Sequence, residues 1–221
     1  MGSQFWSEFF KSFNPDAEGF FFMWLILVFL VIAISIAVER FYYVMVRSNV
    51  NSDKFMMEIR KYVTSGNVKR AIELCEAGKQ KALPYVVLAG LKKVEESDSL
   101  DFRSIQNAVD EGTLEVIPKL QRRTNYLSMI ANIATLTGLM GTIYGLIIAF
   151  ASVGSADIPD DQKTRLLAAG ISTAMNTTIF GLAVAIPTIV AYNVIQNKTA
   201  QIIDDMDEHL VKLINLITGS R

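Results

Sequence analysis

One cysteine and one histidine occur in the 221 residues. A lone Cys75 excludes an intrachain disulfide framework and any cysteine-rich zinc centre. It falls in a polar helical stretch and reads as a small buried residue. His209 has no cysteine or second histidine near it in sequence, so it reads as a solvated histidine on a helix rather than a ligand. The phosphate loop G-x-x-x-x-G-K-[ST] is missing, and so are G-x-S-x-G and H-E-x-x-H. No strand alternation is present. A net charge of -1, with no basic face interleaved with aromatics, excludes nucleic acid as a partner. These absences argue against an enzyme.

Charge is missing from three long runs. Phe20 to Val38, Tyr126 to Val153 and Leu166 to Val194 contain no Asp, Glu, Lys, Arg or His. A hydrocarbon core needs about 20 helical residues, so each run is long enough to span. With 28 residues, the second would reach ~42 Å at ~1.5 Å per residue, and must tilt or project beyond the bilayer. Overall the chain is 51% hydrophobic with a mean hydropathy of +0.32. That is too apolar for an ordinary soluble domain and too charged in its middle for a pure membrane bundle. The expected class is an all-α integral membrane protein with three transmembrane helices and long helical extensions in water.

Direction follows from the cations. Of 21 Lys and Arg, 15 lie in residues 39–125, against one in 1–19, two in 154–165 and three in 195–221. Arg40 and Arg47 follow the first run, and Lys119, Arg122 and Arg123 precede the second. The positive-inside rule places 39–125 and 195–221 in the cytoplasm, and 1–19 and the short loop 154–165 on the far side. Residues 1–19 lack the pattern of a cleaved signal peptide and read as retained. Phe5, Trp6, Phe9, Phe10 and Phe13 share one helical face there, which suggests a short helix lying in the membrane interface.

The cytoplasmic part reads as helices. Ser65-Gly66-Asn67 breaks the chain. The next helix stops at Gly78, Pro84 opens another, and Ser99 to Gly112 gives a third. Pro118 is expected to interrupt the stretch leading into the second run. After the third run, Ile202, Met206, Leu210, Leu213 and Ile217 form an apolar stripe at helical spacing. That stripe predicts a bundle helix packing on copies of itself or on the middle helices.

Small and hydroxyl residues also recur at helical spacing inside the runs. Thr135, Gly138, Thr142, Gly145 and Ala149 fall on one face of the second, with Gly141 beside them. Thr173, Thr177, Gly181 and Thr188 share a face of the third, with Thr178 on its shoulder. Two readings explain this. Small residues let membrane helices approach closely, and hydroxyls add interhelical hydrogen bonds worth about 0.6 kcal/mol on average. Alternatively, the stripe walls a pore in which threonine hydroxyls orient a proton path. Any titrating group on that path must come from another polypeptide, because intramembrane acids are the usual relays and these runs have none.

GLMGTIYGLIIAF, from Gly138, resembles the G-L-x-G-T-V-x-G motif of the MotA/TolQ/ExbB proton-channel family. LLAAGISTAMNTTIFGLAVAIPTIVAYN, from Leu166, resembles its second signature. IPKLQRRTNYLSMIANIATLTGLMG resembles the basic lead-in to the long second span, and LCEAGKQKALPYVVLAGL the cytoplasmic helices. The likeness runs from about residue 20 to 200, and three spans fit the ExbB/TolQ branch. It implies a bacterial inner-membrane motor subunit, with periplasmic N-terminus and cytoplasmic C-terminus. It further implies a homopentamer around a dimer of a single-span ExbD- or TolR-like protein whose transmembrane Asp carries H+, working on a TonB- or TolA-like force transmitter. No cofactor is implied.

By the same resemblance, pore-facing threonines map onto Thr142 and Thr178, and Pro187 matches the proline of A-I-P. Thr135, Thr173 and Thr177 join the candidate ion path. Gly138, Gly141, Gly145, Gly181 and Pro187 are the candidates for helix packing or partner-helix contact. Thr173 stands where many relatives carry a glutamate. A hydroxyl-lined path serves H+ or Na+, and nutrient uptake, envelope maintenance, gliding and secretion all stay open. A non-transporting membrane scaffold is the alternative.

Overall fold

The computed structural model describes residues 2–15, 17, 19–96, 102–154 and 159–219. These residues are mainly helical, joined by short turns, with no strand among them. In chain order the helices are α1 (Gly2–Lys11), α2 (Phe20–Tyr42), α3 (Ser52–Thr64), α4 (Val68–Ala77), α5 (Ala82–Glu96), α6 (Phe102–Gln121), α7 (Thr124–Gly154) and α8 (Asp160–Gly219). A π turn, Tyr43–Arg47, extends α2. Three helical stretches, running through α2, α7 and α8, are long and apolar enough to cross a membrane. The chain divides into two compact units, residues 1–38 with 125–192, and residues 39–124 with 193–221.

The first unit is a membrane hairpin with two helices added. Ile26 of α2, Ala134 of α7 and Val184 of α8 form its buried core, with Leu30 and Phe180 packed against them. The outward faces are apolar and exposed, including Val31 and Ile34 on α2, Leu136 and Ile147 on α7, and Ile186 and Val190 on α8. So much contiguous apolar surface is a liability in water and the normal condition in lipid. The aromatic residues of α1 and of the turn after it divide. Phe9 and Phe13 stack edge-on against Phe180 at 5.5 and 5.6 Å between centroids, and Phe13 meets Trp24 at 6.0 Å. Trp6 and Phe10 remain exposed. The side chain of Phe5 lies outside the described residues.

The second unit is built from α3 to α6, each packed on the next, and the C-terminal part of α8. Ile59, Val86, Leu91, Ile105 and Leu120 are among its fully buried side chains. Gly66 takes φ +74 just after α3, where an L side chain would be strained, and so ends that helix as the sequence predicts. Gly78 caps α4. The apolar stripe Ile202, Met206, Leu210, Leu213 and Ile217 is buried, and the tail packs beside α3 of the same chain.

Three expectations are corrected. Pro118 does not interrupt a helix, because α6 runs through it to Gln121. Its ring costs the carbonyl four residues back its partner, but buried Val116 and Leu120 flank it and hold the helix in place. The break comes instead at Arg123, which takes φ +61. The segment 154–165 is not all loop, since α8 starts at Asp160. The Pro159 carbonyl accepts from Gln162 and Lys163 N–H at 3.0 and 3.1 Å, which closes the first turn. His209 is not a solvated histidine. Its side chain is only 12% exposed and its Nε2 lies 3.6 Å from Asp53 of α3.

Candidate functional site: a hydroxyl cluster on a glycine seam

Within the first unit α7 and α8 meet along glycines. A Cβ on Gly138 would fall 2.9 Å from the Thr177 carbonyl oxygen, and one on Gly181 would fall 2.7 Å from the Ala134 carbonyl oxygen. On Gly141 it would meet the Thr177 side chain at 2.7 Å, and on Gly145 the Ala174 Cβ at 3.0 Å. So these four glycines face the neighbouring helix of their own chain. Gly170 continues the seam, and its signal in the sequence is its spacing of four, three and four with Ala174, Thr177 and Gly181. A Cβ there would lie 2.7 Å from Ala149 Cβ. Pro187 sits inside α8, exposed, without ending the helix.

Close approach brings three threonines together. Thr142 Oγ1 and Thr178 Oγ1 are hydrogen-bonded, and either can donate. Thr142 also reaches the carbonyls of Gly138 and Ala174, each at 3.2 Å, and Thr178 reaches Gly138 O at 3.2 Å. Thr177 donates to Ala174 O at 2.8 Å, with Gly138 O at 3.3 Å. Each hydroxyl has one proton and two lone pairs. Three protons therefore serve two carbonyls and one another, and the direction of the Thr142–Thr178 bond can reverse without leaving either group unpaired. Thr142 and Thr178 are partly exposed, so the pair opens onto the surface of the unit, whereas Thr177 is fully enclosed in the seam.

The other candidates stand apart from this cluster. Thr135 is exposed and bonds the Ala131 carbonyl of its own helix at 3.1 Å. Thr173 is half-buried, beside Gly19. Thr188 is buried and donates to Val184 O at 2.7 Å. A buried Asn176, whose Nδ2 donates to Ser12 Oγ at 3.0 Å, joins α8 to the segment after α1. No carboxylate, amine or imidazole lies in the apolar parts of α7 and α8. Chemically the cluster can pass or orient a proton and can solvate an ion with oxygen, but it cannot titrate near neutral pH.

Known proteins share this region. A Helicobacter pylori protein described as biopolymer transport protein ExbB is 34% identical over 80 residues, 36% of this chain and 53% of that one. An Aquifex aeolicus protein of the same description is 27% identical over 134 residues, 61% of this chain and 86% of that one. A Haemophilus influenzae Tol-Pal system protein TolQ is 34% identical over 77 residues, 35% of this chain and 32% of that one. The match thus spans about half of the Helicobacter protein and about a third of the TolQ protein. Residues 79–208 match the family described as MotA/TolQ/ExbB proton channel, and they include all of α5, α6 and α7 and the seam-forming part of α8. That match runs over more than half of the sequence, and the chain belongs to the MotA/TolQ/ExbB proton channel family.

Proposed function

We propose that this chain is a bacterial inner-membrane stator subunit. It assembles as a pentameric sheath around a dimer of a single-span, ExbD- or TolR-like protein. A transmembrane Asp of that partner carries H+, and the proton motive force drives mechanical work on the cell envelope through a TonB- or TolA-like transmitter. The observation that carries this reading is the Thr142–Thr178 pair. It is partly exposed, can reverse its hydrogen bond, and sits in apolar stretches of α7 and α8 that hold no carboxylate, amine or imidazole of their own. A hydroxyl pair of this kind complements an acid brought by a partner and gives the acid's proton oxygen neighbours in a low-dielectric site. Thr173, at the position of the family's frequent glutamate, adds a further hydroxyl but no charge.

A second reading, a scaffold that moves no ion, draws on the glycine seam. Close backbone packing between α7 and α8 accounts for Gly138, Gly141, Gly145 and Gly181 without any transport. Native mass spectrometry of the protein purified from its own membranes separates the two. The stator reading expects five copies together with two copies of a small single-span protein bearing one transmembrane Asp. A homo-oligomer alone, in detergent mild enough to keep such complexes whole, would leave the scaffold.

A further inference from the structure

Beyond the end of α2, in the second unit, the π turn forms one wall of a cavity of about 340 Å3. The α4–α5 connection, the first turn of α5 and the end of α6 close it. Four cations line this cavity, Arg47, Lys79, Lys81 and Lys119, with the rings of Tyr43 and Tyr85, and its lining includes no carboxylate. Among the described residues, Arg47, Lys79 and Lys81 make no ion pair. Arg47 rests over the Tyr43 ring at 5.8 Å, and Lys119 is bound to Glu115 at 2.5 Å. An adjoining cavity of about 620 Å3 shares Arg47, Lys79 and Lys81. Its one acid, Glu76, is held by Lys92 at 3.2 Å. The first turn of the 15-residue α5 adds the positive end of a helix dipole. Like charges gathered from three elements repel one another, and an anion between them reverses that cost.

Depth along the chain says where the anion comes from. The uncharged run ends at Val38, so Tyr43 and Arg47 are five and nine residues further on. At no more than ~1.5 Å per helical residue these lie within ~7 and ~13 Å of the end of that run. A headgroup layer is about 5–7 Å deep. Two residues that line the cavity, Tyr43 and Arg47, are therefore within chain reach of the headgroup layer. A general excess of Lys and Arg beside a span needs no cavity; here three unpaired cations converge on one.

We propose that this cavity binds a phosphate ester, supplied by the headgroup of an anionic phospholipid, with Arg47, Lys79 and Lys81 contacting the phosphate. The arginine offers a two-pronged contact and the lysines point charges. Basic pockets at the ends of membrane helices take such headgroups. This site is separate from the threonine cluster and does not depend on ion movement.

The test titrates the full-length protein in detergent with short-chain phosphatidylglycerol, short-chain phosphatidylcholine or inorganic phosphate, and follows thermal unfolding. Phosphatidylglycerol is expected to raise the midpoint saturably and phosphatidylcholine to leave it unchanged. The double variant Lys79→Gln/Lys81→Gln should weaken the phosphatidylglycerol response on the order of tenfold. Lys79→Arg/Lys81→Arg should retain it, as should Lys93→Gln, which lies outside both cavities. Inorganic phosphate binding as tightly as the lipid, with the same dependence on Lys79 and Lys81, would keep the phosphate site and overturn its lipid source. Equal responses to the two lipids, or a phosphatidylglycerol response untouched in the glutamine variant, would overturn the site itself.

Discussion

Gly138 of α7 and Gly181 of α8 meet backbone to backbone: a Cβ on Gly181 would sit 3.1 Å from Gly138 Cα and 2.7 Å from Ala134 O. Both obstacles are main-chain atoms, which cannot rotate away. That contact fixes the helix separation that lets Thr142 reach Thr178 and the Ala174 carbonyl.

Gly181→Ala should therefore destabilise the protein even though alanine is the better helix former. The propensity gain is about 1 kcal/mol, while forcing a methyl into a packed seam costs about 1–3 kcal/mol. A lowered thermal midpoint in detergent is expected. Gly154→Ala is the control, because nothing lies within 4 Å of a Cβ there. Its midpoint should match or exceed that of the wild type.

The bend between α6 and α7 supplies another test. Arg40, 3% exposed, donates from Nη2 to the carbonyls of Lys119 and Leu120 at 3.2 and 2.9 Å, which satisfies the open end of α6. Its neighbour Glu39 pairs with Arg123 at 3.0 Å. Arg40→Met removes charged hydrogen bonds from buried carbonyls and should cost about 1.5–3 kcal/mol in denaturant unfolding. Arg123→Gly should be neutral or stabilising by up to ~1 kcal/mol. It relieves a left-handed backbone at the expense of a half-exposed ion pair of small worth.

Spacing alone carried much of this architecture. Gly138, Gly145 and Ala149 repeat at the helical period and do face α8, and the stripe from Ile202 to Ile217 is buried throughout. Periodicity reports which residues share a face, not what covers it. Thr135 shares the phase of Gly138 and Thr142 yet is exposed, while Ala131 and Ala134 on the same turn of α7 are buried. Pro118 misled as a helix breaker, because burial on both sides of it outweighs a local penalty of about 3 kcal/mol. Arg40 read simply as a topology charge, and its capping of α6 depends on a residue 80 positions away, beyond any local signal. His209 lacked sequence neighbours to mark it, since its partner Asp53 comes from α3.

Cys75 should resist thiol reagents while the protein is folded. It is fully buried, and burial, with Glu76 as a lesser cause, pushes its thiol up to about 12. The thiolate is the reactive form, so labelling at pH 8 should wait on unfolding. The sign for stability follows. Between the ordinary thiol value near 9 and about 12, the unfolded chain releases a proton that the folded chain retains. Rising pH across that window favours unfolding, and the contribution is fully present below it. A thermal midpoint that falls with pH above 9 in the wild type, but less in Cys75→Ala, is the expected outcome.

The threonines allow packing and ion handling to be separated within one seam. Thr142→Val keeps the side-chain volume but removes one hydroxyl. Thr178 can still donate to Gly138 O, and Thr177 still donates to Ala174 O, so no carbonyl in the cluster is orphaned. Its stability cost should stay below about 1.5 kcal/mol. Thr178→Val is equivalent, because Thr142 can donate to Gly138 O at 3.2 Å. Both variants should assemble normally by native mass spectrometry. On the stator reading, in vesicles reconstituted with the single-span protein which that reading expects to co-purify, each should lower proton flux, followed by quenching of an acid-sensitive dye, on the order of tenfold. Thr142→Ser, which restores a hydroxyl at the same place, should recover most of it. Thr177→Val provides the contrast, since its side chain is wholly enclosed and its hydroxyl serves the seam. It should affect stability more than flux. Were Thr142→Val to break assembly while Thr142→Ser did not, the hydroxyl pair would be holding helices together, and the scaffold reading would gain the ground the stator reading lost.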